Sequence, residues 1–237
     1  SLAVSPMHEY FASASDDGTV RVWNTKNGSP VLDFSGHSED LVVAKFNGSD
    51  SKLITASVDG DIRVWNTSTG VCDRVLSNHR SWVNYIEFSP DDSFIISASY
   101  DSTVILWNNH SYTLNKRLVG HKDAVHQAIF SNSGEMVASC GNDSSVILWQ
   151  VHENVIASTI SKFHIDVSAL AFSSNDSLIA IGLMDGTIEV WDIPNRERIW
   201  SARPHSAYIS HLSFNNENDE ILSASEDAQV IITEVGS

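Results

Sequence analysis

Ser57-Val58-Asp59-Gly60-Asp61-Ile62-Arg63-Val64-Trp65 sets a tight turn against a strand that ends in tryptophan. Asp-Gly suits the turn, since glycine takes a left-handed backbone freely and aspartate caps its own turn. Ile62 and Val64 then point to one side and Arg63 to the other, the alternation of a β-strand. The stretch recurs. Trp23, Trp65, Trp107, Trp149 and Trp191 stand 42 residues apart, and Thr233 takes the sixth place. Six residues earlier an aspartate is kept every time: Asp17, Asp59, Asp101, Asp143, Asp185 and Asp227.

Around this stretch each repeat shows four short apolar-alternating runs separated by turn residues. In the second repeat they are Leu41 to Asn47, Lys52 to Ser57, Asp61 to Asn66 and Val71 to Leu76. A period of about 40 to 45 residues with four strands per period is the signature of a propeller blade. The expected fold is therefore all-β: a β-propeller of four-stranded antiparallel blades, six repeats over a single domain, 1–237. The fourth repeat is expected to close on a strand from Val155 to Ile160, and the sixth stops after Gln229 to Glu234 without an outer strand. Because neither end supplies that strand, the chain is expected to be a slice of a seven-bladed or longer array. Val104-Ile105-Leu106 and Val146-Ile147-Leu148 are apolar throughout, as strands covered on both faces should be.

Composition excludes several functions. A formal charge of −16, from 30 acidic and 14 basic residues, argues against a phosphate-backbone ligand and against anionic membrane surfaces. No apolar run is long enough to span a bilayer. No Gly-rich nucleotide loop and no metal-ligand spacing occurs, so no cofactor and no metal is expected. Cys140 falls in register with Ala14, Ala56, Ala98 and Ala224, which reads as a buried stand-in for alanine. With Cys72 the only other cysteine, no disulfide framework is indicated, and an intracellular setting, cytoplasmic or nuclear, is expected.

Four further positions keep the same register. His37, Thr55, Asp59 and Trp65 form one set; His79, Ser97, Asp101 and Trp107 the next; His121, Ser139, Asp143 and Trp149 the third. With the dipeptide Trp191-Asp192, these sets resemble the WD-repeat β-propeller family over essentially the whole chain. The resemblance implies that each set hydrogen-bonds as a chain ending on the tryptophan indole. Ser, His and Asp together invite a catalytic reading, but a site is built once, with an accessible nucleophile and an oxyanion hole. Three copies at identical spacing, each ending on a large apolar ring, describe a structural unit. In the fifth repeat Phe163 and Ile181 replace the His and Ser, and in the sixth Thr233 replaces the Trp. Those blades are expected to lean on apolar packing instead.

The resemblance implies a non-catalytic interaction platform that binds a protein or peptide on the narrower face. The contact positions are the residue before each turn Asp and those three and five after each His. Here they are Asp16; Asp40, Val42 and Val58; Trp82, Asn84 and Tyr100; and Ala124, His126 and Asn142. The series continues with Asp166, Ser168 and Met184, then Tyr208, Ser210 and Glu226. Trp82, Tyr100 and Tyr208 are the expected anchors, since aromatics concentrate interface energy. Asp16, Asp40, Asp166 and Glu226 favour a basic peptide over a phosphopeptide. Two other functions remain open: a sensor repeat domain of a larger nucleotide-switched signalling ATPase resembling the apoptosome type, and a propeller hydrolase or metal-dependent lactonase. Trp200, on an outer strand, marks either an edge contact or a cover over its neighbour.

Overall fold

The structure, a computed structural model, describes residues 1–152 and 156–235. The chain divides into two compact units, Ser1–Val119 and Gly120–Ser237. In the first unit three four-stranded antiparallel sheets follow in order. Blade 1 is β1 (Leu2–Val4), β2 (Tyr10–Ala14), β3 (Thr19–Asn24) and β4 (Pro30–Ser35); blade 2 is β5 (Leu41–Phe46), β6 (Lys52–Ser57), β7 (Ile62–Asn66) and β8 (Cys72–Leu76). Blade 3 is β9 (Val83–Phe88), β10 (Phe94–Ser99), β11 (Thr103–Asn108) and β12 (Leu114–Val119).

The second unit holds two such sheets and a three-stranded one. Blade 4 is β13 (Val125–Phe130), β14 (Met136–Gly141), β15 (Ser145–Gln150) and β16 (Ile156–Lys162). Blade 5 is β17 (Val167–Phe172), β18 (Leu178–Leu183), β19 (Ile188–Asp192) and β20 (Glu197–Ala202). Blade 6 is β21 (Ile209–Phe214), β22 (Glu220–Ser225) and β23 (Val230–Glu234). Val155, the expected start of the fourth strand of blade 4, lies outside the described residues. No helix occurs among the described residues, and none is long and apolar enough to cross a membrane.

Alternation decides which side chain meets which blade. On β7 Ile62 and Val64 are fully buried with Ile54 and Ala56 of β6, and they pack on Ile86, Ile95 and Trp107 of blade 3. The opposite face of blade 2, carrying Ala44, Phe46, Leu53 and Trp65, packs on Ala12, Val20, Val22 and Phe34 of blade 1. Blade 2 thus has a leading face toward blade 1 and a trailing face toward blade 3. In the second unit Trp200 is partly buried and packs on the cluster of Ala169, Val190, Ile209 and Ile221, so it covers its neighbour. Cys140 is fully buried, as its alanine register requires, and burial pushes its thiol pKa well up. Both cysteines are free.

A second device joins blades at the turn between their first two strands. Asp50, Asp92, Asp176 and Asn218 occupy the same turn position, each with positive φ near 60°. Their side chains reach back to the equivalent turn of the preceding blade. Asp50 accepts the Met7 N–H at 3.2 Å. Asp92 accepts the Gly48 N–H and the Asn47 amide, each at 3.1 Å. Asp176 accepts the N–H groups of Asn132 and Ser133 at 2.7 and 2.8 Å, and Asn218 accepts that of Ser174 at 2.7 Å. In blade 4 the position is Gly134, which has no side chain to offer. Burial works to raise the Asp176 pKa, but these donors outweigh it and hold it below the ordinary value. Charge-assisted bonds of this kind contribute about 1.5–3 kcal/mol each. Asp176→Ala is expected to destabilise by about 2 kcal/mol in urea unfolding, and an unchanged midpoint would show the clasp to be ornamental.

Candidate functional site

In four blades the strand-end turns are fixed by the recurring polar set. His37 Nδ1 lies 2.9 Å from Asp59 and Nε2 lies 2.8 Å from Thr55 Oγ1, which also accepts the Trp65 indole N–H at 2.9 Å. Blade 3 repeats this with His79 to Asp101 at 3.0 Å, His79 to Ser97 at 2.7 Å and Trp107 to Ser97 at 2.9 Å. Blade 4 does so with His121, Asp143, Ser139 and Trp149 at 2.8 to 3.0 Å. In blade 6 His205 joins Asp227 at 3.0 Å and Ser223 at 2.8 Å without a tryptophan.

Proton counting selects one arrangement. A hydroxyl has a single proton to give. Asp59 can only accept, so His37 Nδ1–H donates to it; the neutral ring then has a bare Nε2, which accepts the Thr55 hydroxyl proton while Thr55 accepts the indole N–H. The imidazole is neutral, and burial lowers the His37 pKa despite the neighbouring carboxylate. Each aspartate also gathers backbone donors: Asp143 takes the Lys122 N–H at 2.9 Å and the Ser145 hydroxyl at 2.6 Å. The hydroxyl-bearing residues of these sets, Thr55, Ser97, Ser139 and Ser223, are fully buried, so none of these hydroxyls is presented to solvent. A network that is fully satisfied is the condition under which burying such groups stabilises rather than costs.

Blade 5 solves the same problem differently, and here the expectation of apolar packing is incomplete. Phe163 does meet Trp191 edge-on, with ring centroids 6.0 Å apart. The indole N–H, however, donates to Glu189 at 2.8 Å, and Arg198 pairs with the same carboxylate at 2.8 Å. Glu189 is buried. The signal was legible: two residues before the tryptophan, blades 3 and 4 carry Ile105 and Ile147, while blade 5 carries an acid. Glu189→Ala leaves the indole and the guanidinium without that acceptor and is expected to cost about 2–3 kcal/mol in denaturant unfolding. Recovery by Glu189→Gln of most of the loss would assign it to the indole bond. In blade 6 the Thr233 hydroxyl is buried with no partner, so the missing tryptophan leaves a polar gap there.

These turns carry the expected contact positions and hold them in pairs. The N–H of the residue before the turn Asp donates to the carbonyl of the residue three after the His. The pairs are Val58 to Asp40 at 3.0 Å, Tyr100 to Trp82 at 3.0 Å, Met184 to Asp166 at 3.0 Å and Glu226 to Tyr208 at 3.2 Å. In the first unit the Trp82 and Tyr100 rings meet 5.2 Å apart, tilted by 52°. Both stay in solvent, 48% and 41% exposed. Asp16 and Asp40 are exposed, Val42, Val58 and Asn84 half-buried. In the second unit Tyr208 donates to Glu226 at 2.8 Å, which raises the phenol pKa. His126 bonds Asn142, and Asp166 accepts the Ser144 hydroxyl at 2.9 Å. Met184 is half-buried and Ser210 exposed.

Two of the expected positions are tied up by the fold itself. Ala124 is 2% exposed, and its carbonyl accepts the Asn142 N–H. Ser168 spends its hydroxyl on the Ile209 and Gly182 carbonyls at 2.7 and 3.2 Å, a bridge between blades. No group of three or more His, Cys, Asp or Glu that could hold a metal occurs among the described residues.

Comparison with known proteins agrees with this geometry. The family described as WD40, WD domain, G-beta repeat, matches residues 1–24, 28–66, 70–108, 112–150 and 158–192. The SIR4-interacting protein SIF2 of Saccharomyces cerevisiae (strain ATCC 204508 / S288c) is 41% identical over 49 residues, which are 21% of this chain and 9% of that protein. The chain therefore aligns with only a small part of that relative's length. The matched repeats cover most of the chain, and it belongs to the WD40 family of β-propeller repeat proteins.

Proposed function

We propose that the chain is a non-catalytic scaffold that binds a basic protein segment on its narrow face, with Trp82 and Tyr100 as the anchor. The exposed aromatic pair carries this reading. Two large rings are kept in water at adjacent strand ends, locked in register by a backbone hydrogen bond, where burial inside the blade would otherwise be favoured. The exposed Asp16 and Asp40 give the same unit acidic character, which suits lysine or arginine over the aromatic faces. A relative named for interacting with another protein fits a protein partner. Free cysteines suit an intracellular, reducing setting.

The test is a pull-down with cross-linking, followed by titration with peptides of opposite charge. Removing an aromatic hot spot costs about 2 kcal/mol or more, so Trp82→Ala with Tyr100→Ala is expected to weaken binding at least about 30-fold. Circular dichroism should remain that of the parent. Preference for acidic or phosphorylated peptides would reject the basic partner; undiminished binding by the double variant would reject the site.

A further inference from the structure

Two asparagines in the chain are followed by glycine, Asn27-Gly28 and Asn47-Gly48. Glycine leaves its own backbone nitrogen unshielded, so such a pair reacts with itself once the side-chain amide and that nitrogen are free to meet. The fold treats the two pairs in opposite ways. Asn47 is 4% exposed. Its amide nitrogen donates to Ser49, Ser51 and Asp92, and its side-chain carbonyl accepts the Lys52 N–H at 2.8 Å. The Gly48 N–H is taken up by Asp92 at 3.1 Å, and a methyl group at Gly48 would meet that carboxylate at 3.3 Å. Asn27 stands in solvent at the tip of the turn between β3 and β4. Its side-chain carbonyl accepts the Ser29 N–H at 3.0 Å, and its amide nitrogen has no partner among the described residues. Nothing lies within 4 Å of the place a Gly28 side chain would take. One bond, from the Gly28 N–H to the Asn24 carbonyl at 2.9 Å, holds the nitrogen that would react. Exposure of this tip does not depend on which blade carries it. Thr69, Ser111 and Asn195, at the same turn position of blades 2, 3 and 5, are exposed as well.

We propose that Asn27-Gly28 is a site of spontaneous deamidation, through which the chain acquires an additional carboxylate as it ages. The Gly28 nitrogen bonds to Asn27 Cγ as its proton passes to solvent. The bond from Cγ to the side-chain nitrogen breaks, and that nitrogen takes a proton from solvent and leaves as ammonia. Water then opens the resulting five-membered succinimide at either of its two carbonyls, which places aspartate or isoaspartate at position 27. No oxidant, cofactor or second protein enters the balance. The turn must open at its tip for the nitrogen to reach Cγ, and exposed tips open at far lower cost than bonded interior segments. Its base stays fixed meanwhile. The Thr25 N–H donates to the Glu9 carbonyl at 3.1 Å and the Thr25 hydroxyl to the His8 carbonyl at 2.6 Å. Isoaspartate carries the main chain through its side-chain carbon, so it lengthens the connection into β4, whereas aspartate changes charge alone.

Incubation of the 237-residue chain at mildly alkaline pH, folded and in urea, followed by peptide mapping with mass spectrometry, tests the proposal. In urea both asparagines are expected to convert at similar rates, since neither is then held. In the folded chain Asn27 is expected to convert at least about tenfold faster than Asn47, which must release several bonds before it reacts. The converted peptide gains the mass difference of O in place of NH and separates into two products, and the intact chain focuses at a more acidic pH. Asn27→Gln sits at an exposed position and is expected to leave circular dichroism unchanged while removing most of the acidic form. An Asn27 that stays intact in the folded chain while both sites convert in urea overturns the proposal. So does equal conversion of the two sites in the folded chain, or an acidic form that persists undiminished in Asn27→Gln.

Discussion

Asp143→Ala is expected to lower the unfolding temperature by about 10 °C. Asp143 accepts from His121, the Lys122 N–H, the Ser145 N–H and the Ser145 hydroxyl. All four lose their acceptor at once, in a place where His121 is buried. A buried donor left without its acceptor costs about 1–3 kcal/mol, several lose theirs here together, and in a chain of this size each kcal/mol moves the midpoint by about 2–4 °C. Blade 5 supplies the internal control. Asp185 takes the Thr187 N–H at 3.0 Å, but its histidine, His164, is 66% exposed and 3.5 Å away. Asp185→Ala is therefore expected to cost about half as much or less. Equal losses at the two sites, read by calorimetry, would show that the buried histidine adds nothing.

Acid is expected to unfold the protein in two stages, followed as the urea midpoint against pH. Neutral His37 has its pKa lowered from 6.5. The unfolded chain then binds the extra proton more readily, so that contribution is complete above about pH 6.5 and shrinks as pH falls below it. The aspartates come second. For Asp59, Asp101 and Asp143 burial works to raise the pKa, but hydrogen bonds to histidine, hydroxyl and backbone donors outweigh it and leave it below 3.8. For Asp227 the Ser206 N–H leads the lowering. Their stabilisation is full above about pH 4 and is lost as pH falls through the depressed values. Because four sets share this behaviour, the second stage is the steeper. A midpoint flat between about pH 5 and pH 2 would contradict it.

The fold was legible because its rule is periodic. Trp65 and Asp59 fix one strand and one turn, and 42 residues later the same pair fixes the next. Strand ends read from that register fall within a residue or two of those observed, as with Thr103–Asn108 and Glu220–Ser225. What periodicity hides is the work of a residue that breaks it. Glu189 takes over the indole bond because Ile181 removed the serine, and that needs knowledge of which strand faces which. The turn carboxylates Asp92 and Asp176 act across blades, over 43 to 45 residues of sequence, so a window of one repeat contains only half the interaction. Of the expected contact positions, Trp82 and Tyr100 are large and exposed. Ala124 is buried instead, where the local backbone uses the place for itself.

Within each compact unit the turn clasps make one blade's stability depend on its neighbour's. Asp92 has nothing to hold unless Asn47 and Gly48 keep their turn, and Asp176 likewise waits on Asn132 and Ser133. Energy in such an array is a sum over adjacent pairs, as in a one-dimensional chain of coupled switches. Opening therefore spreads from a fault to the next blade rather than appearing everywhere together. Hydrogen exchange would follow that order: amides protected by an intact clasp outlast those beside a cut one, and damage to Asp92 reaches Asn47 before it reaches Met7.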